Sequence, residues 1–286
     1  MTERLFLRLP DDPVPAPETT VPAHTLTDCA VPAGLRRVVA HAAAYQERHA
    51  QGHEVTERVL PDGAARLLVE LRPGAAAVRV AGASARSVLL TMRGHMHGLS
   101  FTLSPGAIPA LFGVSAAELA ERVVSWEELV CKAHRDLPDQ LAGAADDEVR
   151  ARLVFESLSA LSGCPDPTAL RVLNHAADRL RHDAVNSSVK SLADRMNLSE
   201  RRLQQVFASQ LGLSPRSWRR LQRLHGTLRL LRGCGTPQWA QVAQHAGYYD
   251  QSHLINEFRA LCGLTPAQFM RQVVSGSSNT GPGLEA

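Results

Sequence analysis

The last third of the chain carries one short pattern twice. Residues 193–218 read ADRMNLSERRLQQVFASQLGLSPRSW, and residues 243–269 read AQHAGYYDQSHLINEFRALCGLTPAQF. A shift of 50 aligns Ala193 with Ala243, Asn197 with Gly247 and Leu198 with Tyr248. One inserted residue makes the shift 51. Leu203 then meets Leu254, Phe207 meets Phe258, and Gly212-Leu213-Ser214-Pro215 meets Gly263-Leu264-Thr265-Pro266. A duplication this close constrains the fold: each copy must form the same small unit, and one connection must hold the two apart.

The local chemistry of each copy is helical. In the first, Leu192, Ala193 and Met196 have helical spacing, and Asn197 suits a tight turn because it tolerates positive φ. Ser199 is a good N-cap for a second helix, whose apolar stripe is Leu203, Val206, Phe207 and Leu211. Gly212 stops that helix, and Ser214-Pro215 starts another. The second copy repeats the plan with Val242, Ala243 and Ala246, then Gly247 as the turn and Asp250 as the cap. Leu254, Ile255, Phe258 and Leu261 form its stripe, Gly263 ends it, and Thr265-Pro266 restarts the chain.

Two short helices joined by a tight turn, the second with a polar outer face, read as a helix-turn-helix. The polar residues fit base edges: Arg reaches guanine in a bidentate way, and Gln or Asn pairs with adenine. Between the copies, Pro215 to about Arg232 reads as one helix, with Trp218, Leu221, Leu224, Leu228 and Leu231 apolar. Arg216, Arg219, Arg220, Arg223, Arg229 and Arg232 charge it. About 18 residues make a rod of roughly 27 Å, near the roughly 34 Å of one DNA turn.

Residues 166–272 resemble the DNA-binding domain of the AraC/XylS family of bacterial transcription regulators. The motifs behind the resemblance are Ser191-Leu192-Ala193, Leu198-Ser199-x-x-x-Leu203-x-x-x-Phe207 and Gly212-Leu213-Ser214-Pro215. In the second copy they are Val242-Ala243-x-x-Ala246-Gly247-Tyr248, Gln251-Ser252-His253-Leu254-x-x-x-Phe258 and Gly263-Leu264-Thr265-Pro266-x-x-Phe269. The resemblance implies seven helices with two helix-turn-helix units entering successive major grooves. It implies base contacts from Arg201, Gln204 and Gln205 in the first unit, and from Gln251, Ser252, His253 and Asn256 in the second. Ser199, Arg202, Arg219, Arg220, Tyr249 and Asp250 are the expected phosphate contacts. Trp239 and Tyr248-Tyr249 depart mildly from the family pattern.

Charge divides the chain in the same place. The net charge is +3, but residues 166–274 hold +8 and residues 1–165 hold −4. Positive charge sits where phosphate contact needs it. At 286 residues two domains are expected. No run of 18 apolar residues predicts a membrane span, and the polar, proline-interrupted N-terminus does not read as a signal peptide. Cys29, Cys131, Cys164, Cys234 and Cys262 are scattered, which fits a cytoplasmic location.

The first half has a different texture. Residues 1–34 read as an extended proline-rich lead-in, and 35–163 as a sheet-rich domain with a helical tail. Candidate strands cover 55–60, 65–71, 77–81, 87–92 and 99–103, with Pro61-Asp62-Gly63 and Arg72-Pro73-Gly74 as turns. Residues 35–50 are ambiguous; Leu35, Val38, Val39 and Ala42 favour a helix, whereas the resemblance to a cupin-like domain, carried by the motifs at 60–63 and 94–106, would make part of the segment a strand. Ser115 with Glu118 and Ser125 with Glu128 are capping-box patterns, and 146–161 reads as an amphipathic helix. Gly163-Cys164-Pro165-Asp166-Pro167 is the expected boundary, and 275–286 the expected disordered tail. Leu60-Pro61-Asp62-Gly63 and Gly94 through Gly106 resemble an uncharacterised, cupin-like domain that precedes AraC-type halves. The fold class expected is thus α+β, with an all-α C-terminal domain.

His95-Met96-His97 puts two imidazoles on one strand face, but no third ligand is near in sequence, so no metal is expected. No Gly-x-Ser-x-Gly, Walker A or Gly-x-Gly-x-x-Gly run occurs, and no cysteine cluster of a DNA-repair alkyltransferase. The chain reads as a non-enzymatic regulator without a cofactor, an activator by resemblance. Double-stranded DNA, RNA polymerase, a small-molecule effector and a second copy are the expected partners. The competing expectation is a constitutive DNA-binding protein whose first half binds proteins only.

Overall fold

Turns with a residue-level cause separate the strands of the first half. The computed structural model describes residues 3–7, 19–161, 163, 165–182, 188–232 and 234–277. Gly63 and Gly74 take φ +77° and +71°, the left-handed values those turns require. In chain order the strands are β1 (Glu3–Phe6), β2 (Leu26–Cys29), β3 (Val39–Arg48), β4 (Glu54–Val59), β5 (Arg66–Arg72), β6 (Ala75–Ala81), β7 (Val88–Arg93), β8 (His95–Leu103) and β9 (Val123–Ser125). They form a three-stranded sheet of order β1-β4-β7 and a six-stranded sheet of order β2-β3-β8-β5-β6-β9. The larger sheet is antiparallel throughout; in the smaller, β1 runs parallel to β4.

Two open points are decided here. Residues 39–48, whose local spacing favours a helix and whose resemblance favours a strand, are strand, because β3 lies between β2 and β8 and pairs with both. Ala42 and Val39 are fully buried against that sheet, so tertiary pairing overrides a local pattern with helical spacing. The proline-rich lead-in is not merely extended: it supplies β1 and β2, one to each sheet. Its residues 8–18 lie outside those described.

Helices follow: α1 (Ala107–Phe112), α2 (Ala116–Leu119), α3 (Trp126–Leu129), α4 (Leu137–Gly143) and α5 (Asp147–Leu161). Both capping boxes form: Glu118 Oε1 accepts from Ser115 N at 2.9 Å, and Glu128 Oε1 from Ser125 N at 3.2 Å. The Ser125 hydroxyl, which donates to Glu128 Oε1 at 2.7 Å, and the Ser125 N–H together hold the Glu128 carboxyl below the usual carboxylate range. The second half contains α6 (Pro167–His182), α7 (Val189–Arg195), α8 (Glu200–Leu211), α9 (Pro215–Leu231), α10 (Trp239–His245), α11 (Gln251–Cys262) and α12 (Pro266–Ser277). Helix α12 runs through Ser277, so residues 275–277 of the expected tail are helical; residues 278–286 lie outside those described. The fold is α+β, sheet-rich first and helical after. Among the described residues, no helix is long and apolar enough to cross a membrane.

The cores do not divide where the chain does. The six-stranded sheet packs with α1 to α5 around Phe101, Trp126, Leu67 and Leu99. The second core holds α6 to α12 around Phe207, Phe258 and Leu224, and it includes Leu5, Leu7, Leu60 and Ala83 of the first half. Leu5 of β1 and the residues just beyond β1 and β4 are therefore buried against the helical half, while Val88, Leu89 and Leu90 of β7 stay exposed, and Gln272 of α12 donates to Glu3 at 3.3 Å.

Glu57 of β4 is only 7% exposed. Burial lifts its pKa to about 7; Arg4 nearby opposes the rise and Glu47 adds to it. A folded pKa above the unfolded value means the folded state binds more protons between the two, so stability falls as pH rises from about 4.5 to about 7. Glu57→Gln removes that penalty. Urea midpoints should then show the variant more stable than the parent at pH 8, by on the order of 2 kcal/mol, and no more stable at pH 4. Parallel curves for the two proteins would refute the assignment.

Candidate nucleic-acid interface

The duplication extends to individual hydrogen bonds. In the first copy Asn197 turns with φ +53°, and Leu198 N donates to Ala193 O at 2.9 Å. In the second, Gly247 turns with φ +77°, and Tyr248 N donates to Ala243 O at 2.9 Å. Ser199 caps α8 by accepting from Arg202 N at 3.1 Å; Asp250 caps α11 by accepting from His253 N at 2.7 Å. Gly212 and Gly263 close the two helices with φ +77° and +72°, donating to Ala208 O and Arg259 O. Leu203 and Phe207, like their counterparts Leu254 and Phe258, are fully buried.

With those faces committed to the core, the polar residues point outward. Arg201, Arg202, Gln204 and Gln205 are exposed on α8; Gln251, Ser252 and Asn256 are exposed on α11. Some are preordered: Arg202 Nη1 donates to Gln205 Oε1 at 3.3 Å, and Gln204 Nε2 to Glu200 Oε1 at 3.0 Å. Tyr249, 93% exposed, stands at the start of α11. His253 is half-buried. Its Nδ1 accepts from Tyr249 N at 3.2 Å, and its ring meets Tyr248 edge-on.

Helix α9 carries two kinds of arginine. Arg216 leans on no carboxylate among the described contacts. Arg220 Nε and Arg223 Nη2 donate to the carboxylate of Glu257, at 2.9 and 2.6 Å. The Arg223 guanidinium also lies 5.3 Å from the Tyr248 ring centre. Arg220 is therefore engaged with α11 through its Nε. Arg219 is half-buried, and burial together with Arg223 lowers its pKa. Glu257 drew no notice in the sequence, because a lone acidic residue on a helix has no local signature of a partner 34 residues away.

The first half grips both copies at equivalent points. Gly106 N donates to Gln210 O at 2.9 Å, and Ser87 N donates to Leu261 O at 2.7 Å. Gln210 and Leu261 correspond under the shift of 51. Each is among the last carbonyls of its helix, which no intrahelical N–H can satisfy. Arg58 Nη1 donates to Cys262 O at 3.1 Å while its Nε holds Glu3 at 2.7 Å, which keeps Glu3 below the usual carboxylate range. The Pro61-Asp62-Gly63 turn is seated on α9: His225 Nε2 bonds Pro61 O at 3.0 Å. A Cβ on Gly63 would lie 2.8 Å from Leu221 Cδ1. The turn read in the sequence as a turn alone is also a docking element.

The histidine pair on β8 does not gather a ligand set. His97 Nε2 bonds Asp147 Oδ1 at 2.9 Å, and His95 Nε2 lies 3.0 Å from Gln46 Nε2. Among the described residues, no three His, Cys, Asp or Glu side chains come together.

Residues 192–272 match the family model described as a helix-turn-helix domain, and residues 29–125 match a domain of unknown function. The chain is 33% identical over 98 residues to the arabinose operon regulatory protein of Escherichia coli (strain K12), covering 34% of this chain and 31% of that protein. With the same-named protein of Salmonella typhimurium the identity is 35% over 81 residues, 28% of each chain. The match thus spans less than a third of these relatives' length. Among solved structures, ToxT from Vibrio cholerae aligns at a TM-score of 0.44 and 10% identity, over 81% of this chain and 98% of that one. The C-terminal domain of AraT from Geobacillus stearothermophilus aligns at 0.33 and 19%, over 42% and 93%. The helical half of this chain carries a helix-turn-helix domain.

Glu257 is 15% exposed and neutralises two guanidiniums. Glu257→Gln leaves both charges close together with a weaker acceptor. Thermal unfolding at neutral pH should show a loss of roughly 2–4 kcal/mol. A loss under about 0.5 kcal/mol would mean the cluster behaves as an ordinary surface pair.

Proposed function

We propose that the chain is a sequence-specific DNA-binding transcription regulator, whose two helical copies engage successive major-groove segments and whose first half modulates that engagement. The observation that carries the reading is the bond-for-bond equivalence of α8 and α11, each with an exposed polar face. Arg201, Gln204 and Gln205 would read bases from the first, and Gln251, Ser252, His253 and Asn256 from the second. Ser199 and Asp250 cap helix starts suited to phosphate, with Arg202 and Tyr249 beside them. The 17 residues of α9 give a spacer of about 25 Å, which the flanking turns extend toward one DNA turn. The +8 balance of residues 166–274 supports attraction to phosphate. Modulation is supported by the bonds from the first half to equivalent carbonyls of both helices. An activating direction, with RNA polymerase as a partner, rests on the resemblance alone.

Selection of bound duplexes from random DNA tests the reading directly. The expected result is an asymmetric site with two information-rich stretches about one turn apart. Purified chain that prefers no duplex over bulk competitor would refute it. Arg201→Ala should cost about 1–3 kcal/mol and relax preference in one stretch only; equal weakening on all sequences would remove Arg201 from base contact. Arg202→Ala should weaken all sequences alike and flatten the slope of log K against log salt by about one. An unchanged slope would take Arg202 off the phosphate.

A further inference from the structure

Helix α5 runs along the six-stranded sheet and leaves one edge of it uncovered. Near its start Asp147 is bonded to His97 of β8 at 2.9 Å; further on, the Phe155 ring meets Phe101 of β8 edge-on, with 5.4 Å between centres. From Asp147 to Phe155 is about 12 Å of helix, and from His97 to Phe101 about 13 Å of strand, so the two run side by side in one direction. Strand β2 lies beyond β3 and is the outermost strand on that side. It is antiparallel to β3, and β3 to β8, so β2 and α5 also run the same way. Between them opens a groove of about 870 Å³. We propose that this groove binds an extended basic peptide of a partner protein, laid against the outer edge of β2, with basic side chains at its first and fifth positions and an apolar one at its third.

A strand edge offers backbone N–H and C=O groups that an added strand can take up. Among the described residues β2 pairs with β3 alone, it contains no proline, and Thr27, Asp28 and Ala30 on or beside it are exposed. The floor of the groove is apolar. Cys29, Ala44, Ala151 and Phe155 line it, and the last three are buried. Apolar lining with a few polar groups at the rim is the usual make-up of a binding cleft.

Charge selects the occupant. The lining residues include four carboxylates, Asp28, Asp147, Glu148 and Glu156, and one guanidinium, Arg152. Two of the four are answered: His41 lies 2.7 Å from Asp28, and His97 and Arg150 hold Asp147. Glu148 and Glu156 are exposed and meet no cation among the described contacts. They border the groove from α5 about 12 Å apart along the helix. An extended chain covers that distance in about four residues, and residues i, i+2 and i+4 of a strand point the same way. Arginine or lysine at i and i+4 therefore meets the two glutamates, while the residue at i+2 enters the apolar floor. Arg152 stands between the glutamates on the helix and disfavours a basic residue there. An acidic peptide is repelled by the same carboxylates. The groove lies wholly in the first half, so peptide binding stands or falls apart from DNA binding by the second.

Fluorescence anisotropy of the full chain with labelled heptapeptides, in about 0.15 M salt, tests the site. SRTVTRS carries the spacing, SETVTES reverses its charges, and SRRVTTS keeps its composition but breaks the spacing. SRTVTRS should bind with a Kd below about 200 μM, SRRVTTS about fivefold more weakly, and SETVTES not at all. Glu148→Gln and Glu156→Gln, both exposed on α5, should each weaken SRTVTRS about threefold and together about tenfold, with melting unchanged. Hydrogen exchange of residues 26–29 should slow when SRTVTRS is bound. No binding of SRTVTRS up to about 1 mM, equal binding of SRRVTTS or SETVTES, full affinity in the double variant, or unchanged exchange of β2 would overturn the proposal. Competition by 1,5-diaminopentane at the same concentration as the peptide would assign the groove to small cations and overturn it as well.

Discussion

Two backbone hydrogen bonds organise this molecule: Gly106 N–H to Gln210 O, and Ser87 N–H to Leu261 O. They run from the first half to the same carbonyl of each repeated helix. Helix ends leave carbonyls unsatisfied, and a neighbouring N–H is the least disruptive way to satisfy them. Because the two acceptors are equivalent by duplication, the first half addresses both copies in the same way. Its position therefore bears on the orientation of α8 and α11 together, not on one alone.

Packing follows from that seam. Leu5 of β1, with Leu7 and Leu60 just beyond β1 and β4, enters the core of the helical half, and the turn at Pro61 sits against α9. The glycine at position 63 is needed twice, for a positive φ and for a close approach to Leu221. Within the helical half, Glu257 ties α11 to α9 through Arg220 and Arg223. The connecting helix is thus held in the same few turns by the first half, at Leu221 and His225, and by the second copy, at Arg220 and Arg223.

Some of this was legible in the chain. The caps Ser199 and Asp250, the stops Gly212 and Gly263, and the turn at Asn197 act through neighbours a few residues away, so their chemistry shows in a short window. Capping boxes at Ser115 and Ser125 were legible for the same reason. Strand β3 was not, because its residues have helical spacing and only pairing with β2 and β8 makes them extended. That Arg220 bonds Glu257 was not legible either, since this carboxylate lies 37 residues on. Which polar side chains of α8 and α11 stay exposed was legible from the apolar stripes; how His253 is held by Tyr249 N was not.

The sequence by itself determined that one helical unit occurs twice, where each copy starts, turns and stops, and which face of each is polar. Those properties depend on backbone preference and on side chains three or four residues apart, which the linear order specifies. Only the tertiary structure decided that the lead-in joins two sheets, that the first half is seated on both copies at matching carbonyls, and that β2 and α5 border one groove. Each of these depends on contacts between distant segments, where geometry and burial, not local preference, set the free energy.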